Sequence, residues 1–308
     1  MKHRIARLLL LVLCAGMLTA CGTPEEAIKA GSGFSDDKQN VGIFLDDPKE
    51  LNALEEQPDI LGWFEYWYGQ EAQGKRQFIF ENPAYTPFIT WMPSSVPLPE
   101  IAGGMHDEYI TLYLQGLAES CPDRPILIRF AHEMELRPEY GGGWYSWQYK
   151  GGENEYKAAW IHLVELGREI CPQAKWIWAP NRADGYAAPF YPGDEYVDYV
   201  GVTLNHTSDR RYTYYAFEDF YVLEAARADM ETYGKKIIIC EASYSCDDEE
   251  VKANYLRSIF SYVKTDPHIV AVCLFNENKS PVRQFRFTDN EIFRQAYYEG
   301  VRELRNEK

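Results

Sequence analysis

Eight short apolar runs recur along the chain, each four to eight residues long. They are Val41–Leu45, Ile60–Trp67, Pro87–Trp91, Ile126–Ala131, Lys175–Ala179, Tyr199–Leu204, Ile237–Cys240 and Ile269–Phe275. Val, Ile, Phe and Trp dominate them, and several are apolar without alternation, the pattern of strands buried on both faces of a parallel sheet. Helical stretches are predicted between most of them: Pro48–Glu55, Glu108–Glu119, Asn154–Ile170, Phe217–Tyr233, Glu249–Val263 and a closing Asn290–Leu304. In Asn154–Ile170 an apolar stripe runs through Tyr156, Ala159, Trp160, Leu163, Val164, Leu166 and Gly167. The second and fifth connections read as less helical. Eight strands alternating with helices predict an α/β fold, a single (β/α)₈ barrel. A doubly wound open sheet would carry a Gly-rich phosphate loop after its first strand, where this chain has Asp46-Asp47-Pro48.

The N-terminus has a different character. Lys2, Arg4 and Arg7 precede the apolar run Leu8–Leu13, and then come Leu18-Thr19-Ala20-Cys21-Gly22. This pattern predicts a signal segment over 1–20 that ends in a lipobox, with Cys21 as the lipidated first residue of an exported, membrane-anchored lipoprotein. Residues 21–40 read as a small, polar, flexible tether, and 41–308 as the barrel. No later stretch is long and apolar enough to span a bilayer. Five cysteines remain after Cys14 and Cys21: Cys121, Cys171, Cys240, Cys246 and Cys273. Their spacings match no zinc pattern, so no metal is expected. A Cys121–Cys171 disulfide and buried free thiols both stay open.

The net charge is −16, from 31 basic and 47 acidic residues, and it falls to −19 once residues 1–20 are removed with their three positive charges. That balance excludes nucleic acid as a partner. Aromatic residues make up 15% of the chain, which fits a large core or a site that stacks sugar rings.

Barrel active sites sit at the C-terminal ends of the strands. The fourth strand ends in Arg129-Phe130-Ala131-His132-Glu133 and the seventh in Ile239-Cys240-Glu241. Two carboxylates therefore leave strands that lie across the barrel mouth. Hydrolysis of a glycosidic bond needs such a pair, one to protonate the leaving oxygen and one to attack the anomeric carbon or activate water. The Gly-rich aromatic loop Glu139–Trp147 follows the fourth strand and suits a sugar-stacking wall.

Together, Arg129–Met134, Trp144-Tyr145-Ser146-Trp147 and Trp178-Ala179-Pro180-Asn181 resemble glycoside hydrolase family 26, the family of β-mannanases and of some β-glucanases and xylanases. Tyr196–Gly201 and Phe285-Arg286 extend the resemblance over roughly residues 60–290. It implies that Glu133 is the general acid/base and Glu241 the nucleophile of a retaining β-glycanase, acting without a cofactor on a β-1,4-linked polysaccharide and as a monomer. It further implies that His132 positions the nucleophile or binds sugar, and that Trp144 and Trp147 shape the substrate wall. Trp91 and Asn205 are further substrate-binding candidates at the mouth, and Asn181 and Arg286 are weaker candidates for hydrogen bonds to substrate.

The chain also departs from the family pattern. It has Trp91-Met92 where the mannanases show Trp-His, and Leu204-Asn205-His206 where they show Gly-Tyr-Asn, so Asn205 or His206 would take over the contact to the nucleophile. Leu274 or Phe275 replaces the usual Trp of strand eight. These changes point away from mannan towards another β-linked polysaccharide, such as a β-glucan or an exopolysaccharide. The same residues have two rival readings: a lipoprotein that captures polysaccharide without cleaving it, and an inverting or unrelated barrel hydrolase.

Overall fold

The computed structural model describes residues 33–305 except 70, 137, 139–141, 184, 208–226 and 282. Eight parallel strands close into a barrel in sequence order: β1 (Asn40–Leu45), β2 (Ile60–Tyr66), β3 (Thr86–Met92), β4 (Ile126–Phe130), β5 (Ala174–Trp178), β6 (Tyr199–Thr207), β7 (Lys236–Ser245) and β8 (Ile269–Asn276). All eight apolar runs are therefore strands. The helices of the outer ring are α1 (Gln73–Glu81), α2 (Leu98–Ala102), α3 (Asp107–Ser120), α4 (Glu153–Ile170), α5 (Glu249–Thr265) and α6 (Glu291–Arg305). Beyond β8 a two-stranded ribbon pairs β9 (Asn278–Ser280) with β10 (Arg283–Gln284). Among the described residues no helix is long and apolar enough to cross a membrane.

Alternation along the strands sorts the core into two layers. Phe44, Ile60, Phe88, Leu127, Ile177, Tyr199, Ile238 and Cys273 fill the barrel interior. Val41, Trp63, Ile89, Trp91, Phe130, Trp176 and Trp178 face the helices. Gly167 of α4 lets that helix approach β5 closely, because a Cβ there would stand 2.2 Å from the Trp176 ring.

Three expectations change, and others lie outside the described residues. The second connection, read as poorly helical, holds the nine-residue α1; its Gln, Lys and Arg residues hide a weak apolar face. The first connection is 3₁₀ over Pro48–Ala53, capped by Asp47 and Glu50. Most of the helix expected over Phe217–Tyr233 lies outside the described residues, as do residues 1–32 with Cys21. Phe34–Asn40, expected within a flexible tether, instead pack under the N-terminal ends of the strands. There the Phe34 amide donates to Thr86 Oγ1 (2.8 Å), and its ring meets Tyr199 edge-on at 5.7 Å. The Tyr199 hydroxyl donates to Asp36 (2.8 Å), and the Asn40 amide donates to the Val270 carbonyl (2.7 Å). All five described cysteines are free, and Cys121, Cys171, Cys240 and Cys273 are buried.

Candidate active site

Arg129 lies inside the barrel near its C-terminal mouth, fully buried, with its guanidinium among the rings of Phe44, Phe64 and Phe88. Its Nε and Nη2 donate to Thr90 Oγ1 (3.1 and 2.8 Å), and Nη2 also donates to Glu241 Oε1. Burial alone would lower the Arg129 pKa, but Glu241, Cys240 and Glu133 hold it above the ordinary value, so the guanidinium is charged.

Glu241 reaches Arg129 through a bulge. In β7, Ile238 and Cys240 point inward and Ile239 outward, so strict alternation would send Glu241 to the helices. The pairing with β6 skips Cys240, matching Val202 to Ile239 and then Thr203 to Glu241. That extra residue turns Glu241 into the barrel. Asn205, inward on β6, donates Nδ2 to Glu241 Oε2 (2.6 Å), and the Ser243 hydroxyl fixes Asn205 by donating to its Oδ1 (2.9 Å). Of the two sequence candidates for this contact, Asn205 makes it. His206 faces Tyr255 at 5.9 Å.

Glu133 is placed by backbone strain. Ala131 (φ 42°) and Glu133 (φ 55°) are both left-handed, a conformation that costs non-glycine residues about 1–3 kcal/mol each and that clusters at functional sites. The two turns carry the chain from β4 towards β5, where the Glu133 amide donates to the Ala179 carbonyl (2.9 Å) and Asn181 Nδ2 donates to Glu133 Oε1 (3.0 Å). Burial, and then the neighbouring Glu241 charge, raise the Glu133 pKa; Asn181, Arg129 and Thr203 oppose the rise. The two sequence-predicted carboxylates thus share one buried site, with Arg129 bonded to Glu241 and close enough to Glu133 to act on its charge.

The aromatic loop divides by burial. Trp144 is 67% exposed, whereas Trp147 is fully buried, which corrects its expected place on a substrate wall. Trp147 instead donates Nε1 to the His132 carbonyl (2.8 Å) and stacks on Tyr145 at 4.5 Å. Gln148, which no sequence signal marked, accepts the amides of Gly143, Trp144 and Tyr145 (3.0–3.2 Å) and donates to the Glu133 carbonyl (2.9 Å). Trp147 and Gln148 therefore brace the strained turn. Tyr145, which was not singled out, lies near enough to both carboxylates that, after burial, Glu133 and Glu241 raise its pKa. His132 is buried against Tyr145 and Phe64, and burial, with Arg129 and Lys279, pushes its pKa well below the usual imidazole value, so it is neutral.

Trp91 is corrected as well. It follows the inward Thr90 and so points outward, fully buried, stacked on Tyr113 at 4.6 Å. Arg286 sits at the β1–β8 edge, paired with Asp46 (2.8 Å), Glu50 (3.5 Å) and Asp289 (3.7 Å), and contacts neither carboxylate. Glu139–Gly141 lie outside the described residues. Among the described residues no group of three His, Cys, Asp or Glu side chains could hold a metal.

A closed parallel barrel with a buried glutamate pair at the ends of its fourth and seventh strands defines the class of barrel glycosidases. The family model for glycosyl hydrolase family 26 matches residues 105–232. Endoglucanase H of Acetivibrio thermocellus is 28% identical over 229 residues, which are 69% of this chain. The chain spans about a quarter of that relative, 24% of its length. Among solved structures, the catalytic domain of the Bacillus sp. JAMB-750 GH26 endo-β-1,4-mannanase superposes with a TM-score of 0.63 at 16% identity, covering 86% of this chain and 85% of that one. A Cellulomonas fimi endo-β-1,4-mannanase double mutant gives 0.61 at 15% identity, covering 86% and 71%. These two share the fold. The likeness to glycosyl hydrolase family 26 thus rests on the matched residues 105–232 and on the shared barrel fold.

Proposed function

We propose that the chain is a retaining β-glycanase that cleaves a β-1,4-linked polysaccharide, with Glu133 as acid/base and Glu241 as nucleophile. The observation that carries this reading is the buried Glu133–Glu241 pair around Arg129, in which burial and Glu241 raise the Glu133 pKa. A general acid must hold its proton near neutral pH, and this environment favours that state. Arg129 and Asn205 each donate to a different oxygen of Glu241, which holds the carboxylate in a fixed orientation. Glu241 attacks the anomeric carbon while Glu133 gives its proton to the departing glycosidic oxygen. The covalent glycosyl-enzyme is then opened by water, which returns a proton to Glu133.

A glucan backbone is favoured over mannan. The sequence relative bears the name endoglucanase, and the residues after strands three and six depart from the mannanase pattern at Met92 and Asn205. A lipid on the Cys21 of the lipobox would hold the protein at the bacterial cell surface or membrane, where polymer is met.

The test is product release from β-1,4-glucan, mixed-linkage glucan, β-mannan and β-xylan, followed by NMR of the first-formed anomer. The β-anomer should appear first. First release of the α-anomer would make the chain an inverting hydrolase, and binding without release on every glycan would make it a capture protein.

The pH profile supplies a further prediction. Activity should fall as pH rises through the Glu133 pKa, because only the protonated acid works. Asn181 donates to Glu133 and favours its ionised form. Asn181→Leu should therefore move the alkaline limb of kcat/KM to higher pH, and an unmoved or lowered limb would contradict the role of Glu133.

A further inference from the structure

Tyr68 lies just past β2, on the same face of the barrel as the carboxylates, and it is held in an unusual way. Its φ is 61°, and its side chain is 57% exposed. A bulky residue in the left-handed region costs free energy that an exposed side chain does not recover by burial. Yet the ring is fixed from three sides. It lies on Tyr109 with centroids 4.3 Å apart, and its own backbone amide points to the Tyr109 hydroxyl at 3.4 Å. Its hydroxyl meets His106 Nδ1 at 2.7 Å, and His106 Nε2 meets Glu100 Oε2 at 3.2 Å. The chain Glu100–His106–Tyr68 thus orients an exposed phenol, with the buried Trp67 edge-on to it at 6.4 Å. Tyr66, two residues earlier, occupies an inward position of β2, is 43% exposed, and lies close enough to Tyr145 to act on its pKa. Tyr145 in turn feels Glu133 and Glu241. Tyr66 and Tyr145 therefore lie in the neighbourhood of the carboxylates, and Tyr68 follows Tyr66 at the same strand end.

We propose that Tyr68 is the stacking platform of a distal sugar-binding subsite on the β2 side of the mouth, held in place by His106 and Glu100 as positioning residues. The inference rests on the glycanase reading and assigns a length preference to it: a glycan long enough to reach Tyr68 gains affinity there. A pyranose ring presents a flat C–H face, and a fixed phenol ring receives it with little ordering cost.

The test compares β-1,4-linked hexasaccharides with an aryl β-disaccharide as the short substrate. Tyr68→Asn keeps a residue that tolerates left-handed backbone. It should raise KM about tenfold on the hexasaccharide, leave kcat nearly unchanged, and leave the aryl disaccharide unaffected. Tyr68→Trp should restore the long-chain KM. His106→Ala should raise the same KM by a smaller factor, with no effect on the short substrate. Equal effects on both substrates, or none, would overturn the platform while leaving the Glu133 and Glu241 assignment standing. That assignment falls separately if Glu133→Gln hydrolyses the hexasaccharide at the wild-type rate.

Discussion

Glu133→Gln is expected to lower kcat on an unactivated glycan by about a thousandfold, within the range that general acid–base catalysis supplies. The glutamine keeps the shape and can still meet Asn181, so the loss reports the missing proton. The alkaline limb of the pH profile should disappear with it, because the group that titrates there is gone. An aryl glycoside with an acidic phenol leaves without help, so its first bond cleavage should be nearly normal and the covalent intermediate should accumulate, since no base activates water. Glu241→Ala should abolish both steps on either substrate. Near-full activity in either variant, measured on a chain that still folds, would remove the residue from the mechanism.

The second large effect lies beneath the pair. Arg129→Met should cost about 3–5 kcal/mol of stability, because it leaves the buried Glu241 with its cation removed. The methionine fits among Phe44, Phe64 and Phe88, so packing is a minor part of that cost. Two pH effects follow from the same charge. Arg129 opposes the rise of the Glu133 pKa, so its removal should raise that pKa further and shift residual activity to higher pH. It also depresses His132, which should regain basicity. Arg129→Met combined with Glu241→Gln removes both charges and should recover most of the lost stability, with no recovery of activity. Denaturant unfolding of the two single variants and the double variant measures the coupling. Strict additivity would show that the buried pair does not govern this part of the fold.

The barrel was legible because parallel strands buried on both faces leave continuous apolar runs, and all eight stood out. Glu133 and Glu241 were legible because the fold dictates which strand ends meet a substrate. The failures have local causes. Trp91 read as a mouth residue, but alternation from the inward Thr90 sends it to Tyr113 and the helices. Trp147 and Trp144 look alike in sequence, and only the turn held by Gln148 buries one and exposes the other. The inward turn of Glu241 depends on a bulge at Cys240, which no apolar pattern announces. Arg129 read as part of a motif, and its place as the cation shared by both carboxylates needed three dimensions. α1 escaped notice because its exposed face is polar and only Ile79 is fully buried.

The segment Phe34–Asn40 under the strands gives the molecule a direction. The chain enters on the floor of the barrel, and the glutamates open at the opposite end. With the proposed lipid at Cys21, the link to Phe34 reaches at most about 45 Å when fully stretched. A particle leashed by its floor to a bilayer presents its mouth outward, away from the headgroups. Polymer arriving from the medium would meet Trp144 and Tyr68 first, and the lipid surface would not block the strand ends where the bond is cut.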